Sequence, residues 1–166
     1  MITETRVLTP ADQPRWRALR LEALERFPEA FLTTAEEQRR RAAADDRAQL
    51  AQGRWRGLFF GQELIGLGAL IPVAYAAAAH RFEIGAVYVA ETYWGTDAAQ
   101  SFLNALEAEA RQKGALQLEL SVAANNPRAI RFYERNGFER MGLQPRAIIV
   151  DGVGQDDFFY VKMLDR

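Results

Sequence analysis

The segment from Asn126 to Phe138 most narrowly constrains what this chain folds into. It reads as a short helix with a defined start, because Asn126 is a favourable N-cap and Pro127 fits the first helical position, where its missing N–H breaks no helical bond. Asn136-Gly137 is a typical helix stop. Asn126 and Tyr133 are seven residues apart and share one helix face, about 10 Å apart along its axis. That face suits a long, thin ligand.

Composition excludes several classes of site. The chain has 21 basic and 22 acidic residues, so its charges nearly cancel and no basic patch predicts nucleic-acid binding. It has no cysteine and one histidine, His80, which excludes disulfides, an acyl-cysteine mechanism and a multi-histidine centre, and we expect no metal. The N-terminus lacks the features of a signal peptide, and the apolar stretch 64–79 is interrupted by glycine and proline. We therefore expect a cytoplasmic protein that does not cross a membrane.

Hydrophobic periodicity and turn residues give an order of elements. The 166 residues predict one domain over 1–166 with an α/β (α+β mixed) fold: a mixed, mostly antiparallel, twisted sheet of about six to seven strands with helices on both faces. The first predicted helix opens at Pro10 or near Asp12. The second, which Thr34 can cap, runs to about Leu50 as a surface helix with its charged residues, Asp46 among them, in solvent. Two further helices cover 97–113 and 126–136. The predicted strands are 4–8, 55–60, 64–71, 81–89, 116–122, 138–144, 147–150 and 157–164. Asp151-Gly152 predicts a turn between the last two.

Two predicted strands carry acidic residues within apolar runs. Alternation along 81–89 predicts two faces: Phe82, Ile84, Ala86 and Tyr88 on one, and Glu83, Gly85, Val87 and Val89 on the other. Along 116–122 the leucines point one way, and Gln117, Glu119 and Ser121 point the other way. Burial within its strand would raise the pKa of Glu83 towards neutrality, which makes Glu83 the first candidate for a general base. Glu119 is the alternative.

The pattern Asn-x-x-Ala-x-x-x-Tyr-x-x-x-Gly-Phe resembles the C-terminal motif of the GNAT N-acetyltransferase superfamily, and the order of elements resembles that fold along essentially the whole chain. The resemblance implies that acetyl-CoA lies in a wedge between strands 81–89 and 116–122. It also implies transfer of the acetyl group to a primary amine, of a small molecule or a peptide, by direct attack in a ternary complex.

The same resemblance assigns roles to residues around the wedge. The backbone of Val87, Tyr88 and Val89 would hydrogen-bond the pantetheine arm as an added strand would. Asn126 would meet that arm or the acetyl region, and Tyr133 would be the general acid that protonates the leaving sulfur. Glu83 would deprotonate the amine, directly or through a water, or only bind it.

The phosphate-binding loop departs from the family pattern Arg/Gln-x-x-Gly-x-Gly/Ala. Trp94 replaces the first residue and Asp97 the central glycine, and the remaining cofactor-binding candidates are Gly95, Thr96, Ala98 and Ala99. Asp97 followed by Gln100 resembles a capping box, which would occupy the helix amides, and the Asp97 carboxylate would repel phosphate. The possible compensating cations are Lys113, Arg128 and Arg131.

Three hypotheses therefore stand at this point. The chain is an acetyl-CoA-dependent N-acetyltransferase, or it is a degenerate GNAT-fold binding or regulatory protein with weak or no acetyl-CoA binding. The third is an enzyme that uses another acyl-CoA, or a donor that contacts the loop differently. The apolar strand around Phe158-Phe159-Tyr160 either fills the core or pairs two copies as a homodimer.

Overall fold

The computed structural model describes every residue, 1–166. The α-helices are α1 (Gln13–Arg26), α2 (Ala35–Arg40), α3 (Ala43–Leu50), α4 (Ala98–Gln112) and α5 (Pro127–Arg135). The strands are β1 (Glu4–Val7), β2 (Trp55–Phe60), β3 (Glu63–Pro72), β4 (Arg81–Val89), β5 (Gln117–Ala123), β6 (Glu139–Val150) and β7 (Val153–Met163). Short 3-10 turns lie at Pro10–Asp12, Pro28–Ala30, Ala76–Ala78 and Glu91–Tyr93. None of the helices combines the length and the apolar character that a membrane crossing requires.

All strands join one seven-stranded sheet in the order β1-β2-β3-β4-β5-β7-β6. Every neighbouring pair is antiparallel except β4 and β5, which are parallel. One apolar core packs α4 on the sheet through Phe102 and Leu106, and the other packs α1 through Trp16 and Leu24. Each such buried side chain contributes about 1.5–3 kcal/mol. The predicted mixed, mostly antiparallel sheet with helices on both faces is confirmed.

A β-bulge in β4 overturns the predicted faces of that strand. The register with β3 steps from Leu67 opposite Tyr88 to Ala69 opposite Gly85, so two residues of β4 lie opposite Gly68. Ala86 takes a left-handed φ of 52° there. Beyond the bulge the alternation is inverted: Val87 and Val89 join Phe82 and Ile84 in the core under α4, whereas Ala86 and Tyr88 pack in the core under α1. The predicted grouping is wrong because strict alternation assumes an unbroken strand.

Gly68 is what allows the bulged residue to pack. A Cβ at this position would lie 3.2 Å from Val87 Cγ2 and 3.3 Å from Phe102 Cε1. The bulge bends β4, so its pairing with β5 is limited to three positions, Arg81–Glu83 against Gln117–Glu119. Beyond Glu83 the two parallel strands diverge and leave an opening in the middle of the sheet.

The predicted helix from Thr34 to Leu50 is instead two helices separated at Arg41. Thr34 caps the first of them as predicted, since its hydroxyl accepts from the Glu37 N–H at 3.1 Å. The chain then turns around the buried carboxylate of Asp46, which accepts from Gln38 Nε2 at 3.0 Å and from Arg41 Nε at 3.2 Å. A straight helix would present Asp46 to solvent with its charged neighbours, and that expectation is also wrong.

At the C-terminal end of the chain, two predicted strands merge into one. β6 runs through 139–150 with an irregularity near Arg146, where φ is 47°, and pairs with β7 along most of its length. The predicted turn at Asp151-Gly152 is confirmed, with φ of 50° and 78°. This hairpin extends the sheet past the opening between β4 and β5.

Candidate functional site

The helix that follows β5 is held at both ends as the sequence predicts. Asn126 Oδ1 accepts from the Ala129 N–H at 3.1 Å, which leaves the Nδ2 group of Asn126 free to donate to a ligand. At the other end Gly137 has φ of 85°, and the Phe138 N–H returns to the Tyr133 carbonyl at 3.1 Å, the pattern of a Schellman motif. These two caps fix where the helix starts and stops beside the opening.

A cavity of about 850 Å³ lies between β4, the N-terminus of α4 and one side of α5. It brings together most of the predicted cofactor-binding residues with the predicted acid: Val87, Tyr88, Val89, Gly95, Thr96, Ala99, Asn126 and Tyr133. Ala98 is the exception, because it is fully buried in the core under α4 and its N–H donates to Thr96 Oγ1 at 3.2 Å. Ala98 is therefore not available to a ligand.

The first turn of α4 keeps its amides free. Asp97 makes no capping hydrogen bond, and its carboxylate instead lies 3.6 Å from the N-terminal ammonium of Met1. The predicted capping box is wrong, since the side chain of Gln100 donates to Asn104 and to Asn136. The N–H groups of Ala99 and Gln100 meet no acceptor in the protein. Free amides at a helix N-terminus bind oxyanions such as phosphate.

Thr96 does not offer its hydroxyl proton to a ligand, although it was a predicted cofactor-binding residue. Its hydroxyl donates to the Tyr93 carbonyl at 2.6 Å and accepts from the Ala98 N–H. The single proton of this hydroxyl is thus already used within the loop. Thr96 lines the cavity, but its hydroxyl serves to shape the loop.

Three arginines of α5 form a cationic stripe along the cavity: Arg128, Arg131 and Arg135. They are spaced i, i+3 and i+7, so they lie on one helix face, and none of them is in an ion pair. Lys113, in contrast, pairs with Glu109 at the far end of α4 at 2.8 Å. Arg128 and Arg131 were candidate cations in the sequence analysis, which could not place them relative to the ligand. Arg135 was missed, although its spacing from them puts it on the same helix face.

Trp94 hydrogen-bonds to part of the β4 backbone that was predicted to bind the ligand. Its indole N–H donates to the Val89 carbonyl at 2.7 Å, and the Arg128 guanidinium lies 3.4 Å from the centre of its ring. Since the Ala90 N–H donates to Ile65 in β3, antiparallel alternation turns the Tyr88 backbone towards β3 and the Val89 backbone towards the opening. The predicted backbone role of Tyr88 is therefore wrong, and its hydroxyl donates to Glu22 at 2.8 Å.

Tyr133 stands at the inner end of the cavity. Its ring packs edge-on against Phe132 and Phe138, with centroids 5.3 and 5.5 Å away. No group of the protein hydrogen-bonds its hydroxyl, and burial raises the pKa of Tyr133 to about 12. The phenol therefore keeps its proton at neutral pH and has a free hydrogen-bonding position to offer.

A second cavity, of about 590 Å³, opens beside the first one. The two share several lining residues, among them Val87, Asn126, Ala129 and Tyr133. Glu83 lines the second cavity, but its side chain is exposed, so the expectation that it is buried within its strand is wrong. Its role as a base stays a prediction. Tyr133 is thus accessible from both cavities.

Glu119 does not serve as the alternative base. It is 2% exposed, and its two carboxylate oxygens accept from Arg81 Nε at 2.6 Å and from Arg81 Nη2 at 2.7 Å. This bidentate pair holds the pKa of Glu119 below its usual value. A carboxylate so held is a poor proton acceptor. Sequence alternation placed Glu119 on a polar face but did not reveal its partner.

The model of the acetyltransferase (GNAT) family matches residues 16–138. No curated protein gives a significant sequence match.

Solved structures with this fold include three that cover nearly the whole chain. The ribosomal-protein-alanine N-acetyltransferase of Brucella melitensis is 23% identical, with a TM-score of 0.76 over 97% of this chain and 99% of its own. A Salmonella typhimurium protein solved with its cofactor acetyl-CoA is 18% identical, with a TM-score of 0.78 over 100% and 96%. A spermidine N-acetyltransferase chimera from Vibrio cholerae is 20% identical, with a TM-score of 0.78 over 98% and 96%.

Proposed function

Because the chain belongs to the acetyltransferase (GNAT) family, we propose that it transfers the acetyl group of acetyl-CoA to a primary amine of a small molecule or peptide, by direct attack within a ternary complex. The observation that carries this proposal is the junction of the two cavities at Tyr133. A donor in the larger cavity and an amine in the smaller one would meet at that hydroxyl.

The residues of the larger cavity fit acetyl-CoA. The free amides of Ala99 and Gln100 and the side chains of Arg131 and Arg135 would hold its phosphates, since they supply donors and positive charge without internal partners. The Val87 backbone would hydrogen-bond the pantetheine arm from the open side of β4. These groups are on helices and a strand, so they are preorganised for an extended anionic ligand.

When bound, acetyl-CoA supplies a thioester carbonyl carbon for the amine nitrogen to attack. Asn126 Nδ2 donates a hydrogen bond into the junction and orients the ligand there, because Oδ1 is fixed on the helix. Glu83 accepts the proton of the incoming ammonium at a carboxylate oxygen, directly or through a water. Tyr133 holds its proton at the phenol oxygen until the sulfur departs and then donates it there.

Two observations favour the alternative, a binding or regulatory protein with weak or no acetyl-CoA binding. The Trp94 indole already uses the Val89 carbonyl, and Asp97 stands where the family has glycine. A protein with this loop would keep the fold and the cavities but lose affinity for the donor.

Calorimetric titration with acetyl-CoA separates the two functions. We expect binding with a dissociation constant below about 1 mM, the upper end of usual enzyme affinities. The double variant Arg131→Gln/Arg135→Gln should bind about 10- to 100-fold more weakly, because it removes charge-assisted contacts that contribute about 1.5–3 kcal/mol. Arg47→Gln, on the exposed surface of α3, is the matched control. No heat of binding at about 1 mM would refute the enzyme and favour the alternative.

Turnover is then measured as release of free CoA thiol with a panel of primary amines. A protein that binds acetyl-CoA but releases no thiol with any amine would contradict the proposed transfer while leaving the binding site intact.

A further inference from the structure

The guanidinium of Arg20 is buried in the protein without a partner. Arg20 lies on α1 and is 6% exposed, and its Nε and Nη1 atoms are out of contact with solvent and make no hydrogen bond. It rests on two aromatic rings, 5.6 Å from the centre of Phe31 and 5.1 Å from that of Trp55. No carboxylate pairs with it, and the charged group that acts on it is another cation, Arg41.

The other buried side chains that carry a charge or an amide group all have partners. Asp46 accepts from Gln13 and Gln38, and Asp12 from Arg6. Arg56 donates to Glu109, and Glu119 accepts from Arg81. Burial of an unpaired charge is costly, so native proteins seldom retain one without a use for it. Arg20 is the only buried charged side chain without a partner; the other buried atoms that lack one are the indole nitrogen of Trp16 and one carboxylate oxygen of the half-buried Glu29.

Burial lowers the pKa of Arg20, but the side chain stays charged. Desolvation and the neighbouring Arg41 lower the pKa of Arg20 to about 10, which still leaves the guanidinium protonated at neutral pH. The side chain is therefore a cation whose remaining hydrogen-bonding capacity is unused.

Arg20 lines the smaller cavity, which is the one assigned above to the amine. Next to it the wall is apolar, formed by Phe31, Trp55 and Ala69. The smaller cavity continues over β4 at Gly85, which has no side chain to fill it: a Cβ at this position would have no atom within 4 Å. The exposed carboxylate of Glu83 also lines this cavity, so it offers separate positions for an anion and for an ammonium group.

We propose that the acceptor amine carries a carboxylate, which Arg20 binds, while the ammonium group of the same molecule lies towards Glu83. The inference rests on the proposed function, because it names the class of acceptor for that site. Arginine presents N–H donors in a planar arrangement that matches a carboxylate, and a desolvated site makes such charge-assisted bonds strong. A bound carboxylate would supply the missing partner of the guanidinium.

Paired acceptors test the carboxylate in turnover. Each amino acid is compared with its carboxamide, which has the same shape without the charge. For the wild-type protein we expect kcat/KM about 10- to 100-fold higher for the carboxylate, mainly through KM. In Arg20→Met the two acceptors become equivalent, and Arg20→Lys, which keeps the charge but loses the planar fork, falls between. Equal kcat/KM for the pair in the wild type, or a preference that survives in Arg20→Met, overturns the proposal.

A set of amines that carry a carboxylate at different distances from the nitrogen identifies the class of acceptor. An α-amino acid, a longer ω-amino acid and a short peptide with an acidic second residue place the two charges at increasing separation. The acceptor whose preference disappears in Arg20→Met defines the class. Arg47→Met, an exposed arginine on α3, is the matched control for removal of a charge and should keep the wild-type preference.

Binding without acetyl-CoA separates this inference from the proposed function. Thermal melting with and without the preferred amino acid should show stabilisation of the wild type and none of Arg20→Met. Arg20→Met alone should melt at the same or a higher temperature, because it replaces an unpaired buried charge with an apolar side chain. Arg20-dependent stabilisation without any acetyl-CoA binding would support the anion site and refute the acetyltransferase; absence of stabilisation in the wild type overturns the anion site.

Discussion

Replacing Trp94 with phenylalanine should tighten the binding of acetyl-CoA. The indole N–H donates to the Val89 carbonyl at 2.7 Å, a net contribution of about 0.5–1.5 kcal/mol to the ligand-free protein. A pantetheine amide that needs the same carbonyl has to displace the indole, whereas phenylalanine has no N–H to displace. The ring of phenylalanine still packs on Phe27, whose centroid is 5.5 Å away. The dissociation constant should therefore fall by about 2- to 12-fold.

Calorimetry on the wild type and Trp94→Phe measures this gain, and thermal melting checks its origin. The ligand-free variant should melt about 2–4 °C lower per kcal/mol of hydrogen bond lost, and saturating acetyl-CoA should narrow the gap. Tyr93→Phe is the control, because the Tyr93 hydroxyl donates to Glu63 and not to β4. A lower melting temperature with an unchanged or weaker affinity would refute the reasoning: the carbonyl would then accept from both donors at once.

Three further perturbations test the site and the fold. Tyr133→Phe should lower kcat about 10²- to 10⁴-fold with little change in acetyl-CoA affinity, and unchanged turnover would exclude Tyr133 as the acid. Because the pKa of Tyr133 is near 12, the wild-type rate should not fall through loss of this proton below about pH 10. Glu109→Gln leaves the buried Arg56 uncompensated and should lower the free energy of unfolding by about 3 kcal/mol at pH 7. The folded pKa of Glu109, about 2, lies below its unfolded value. The difference in free energy of unfolding between the wild type and the variant, measured by urea melts, should therefore shrink as the pH falls from about 4.5 towards 2. An equal difference at about pH 7 and about pH 3 would contradict this linkage. Asp97→Asn should tighten acetyl-CoA by at most about 5-fold at low salt, since its exposed carboxylate is already near the Met1 ammonium; a gain that persists at high salt would point to another cause.

Local signals in the sequence were reliable where one short segment decides the outcome. The caps at Asn126, Gly137 and Thr34 and the turn at Asp151-Gly152 each depend on a few neighbouring residues, and all are confirmed. The bounds of β2 and β4 were also predicted correctly, because Gly53 and Gly61 flank β2 and a loop of small residues precedes β4. The order of these elements was enough to predict the class of sheet.

The errors arise where distant residues compete for one group. The bulge at Ala86 forms because β4 has to pair with β3 while Val87 packs over Gly68, and no pattern within β4 records this. Glu119 was a candidate base until Arg81 was found on both of its oxygens. Asp97 was expected to cap α4, but its carboxylate makes no capping hydrogen bond and lies 3.6 Å from the N-terminal ammonium.

The sequence by itself therefore determined most of the elements, their order and the helix that carries Asn126 and Tyr133, because these follow from local propensity and spacing. The motif on that helix indicated the family by resemblance. Only the tertiary structure decided which polar groups remain without partners. Hydrogen bonds and ion pairs between separate elements satisfy Glu119 and Asp46, and they leave the amides of α4 and the guanidinium of Arg20 free. Those free groups, rather than the motif alone, indicate what the two cavities would bind.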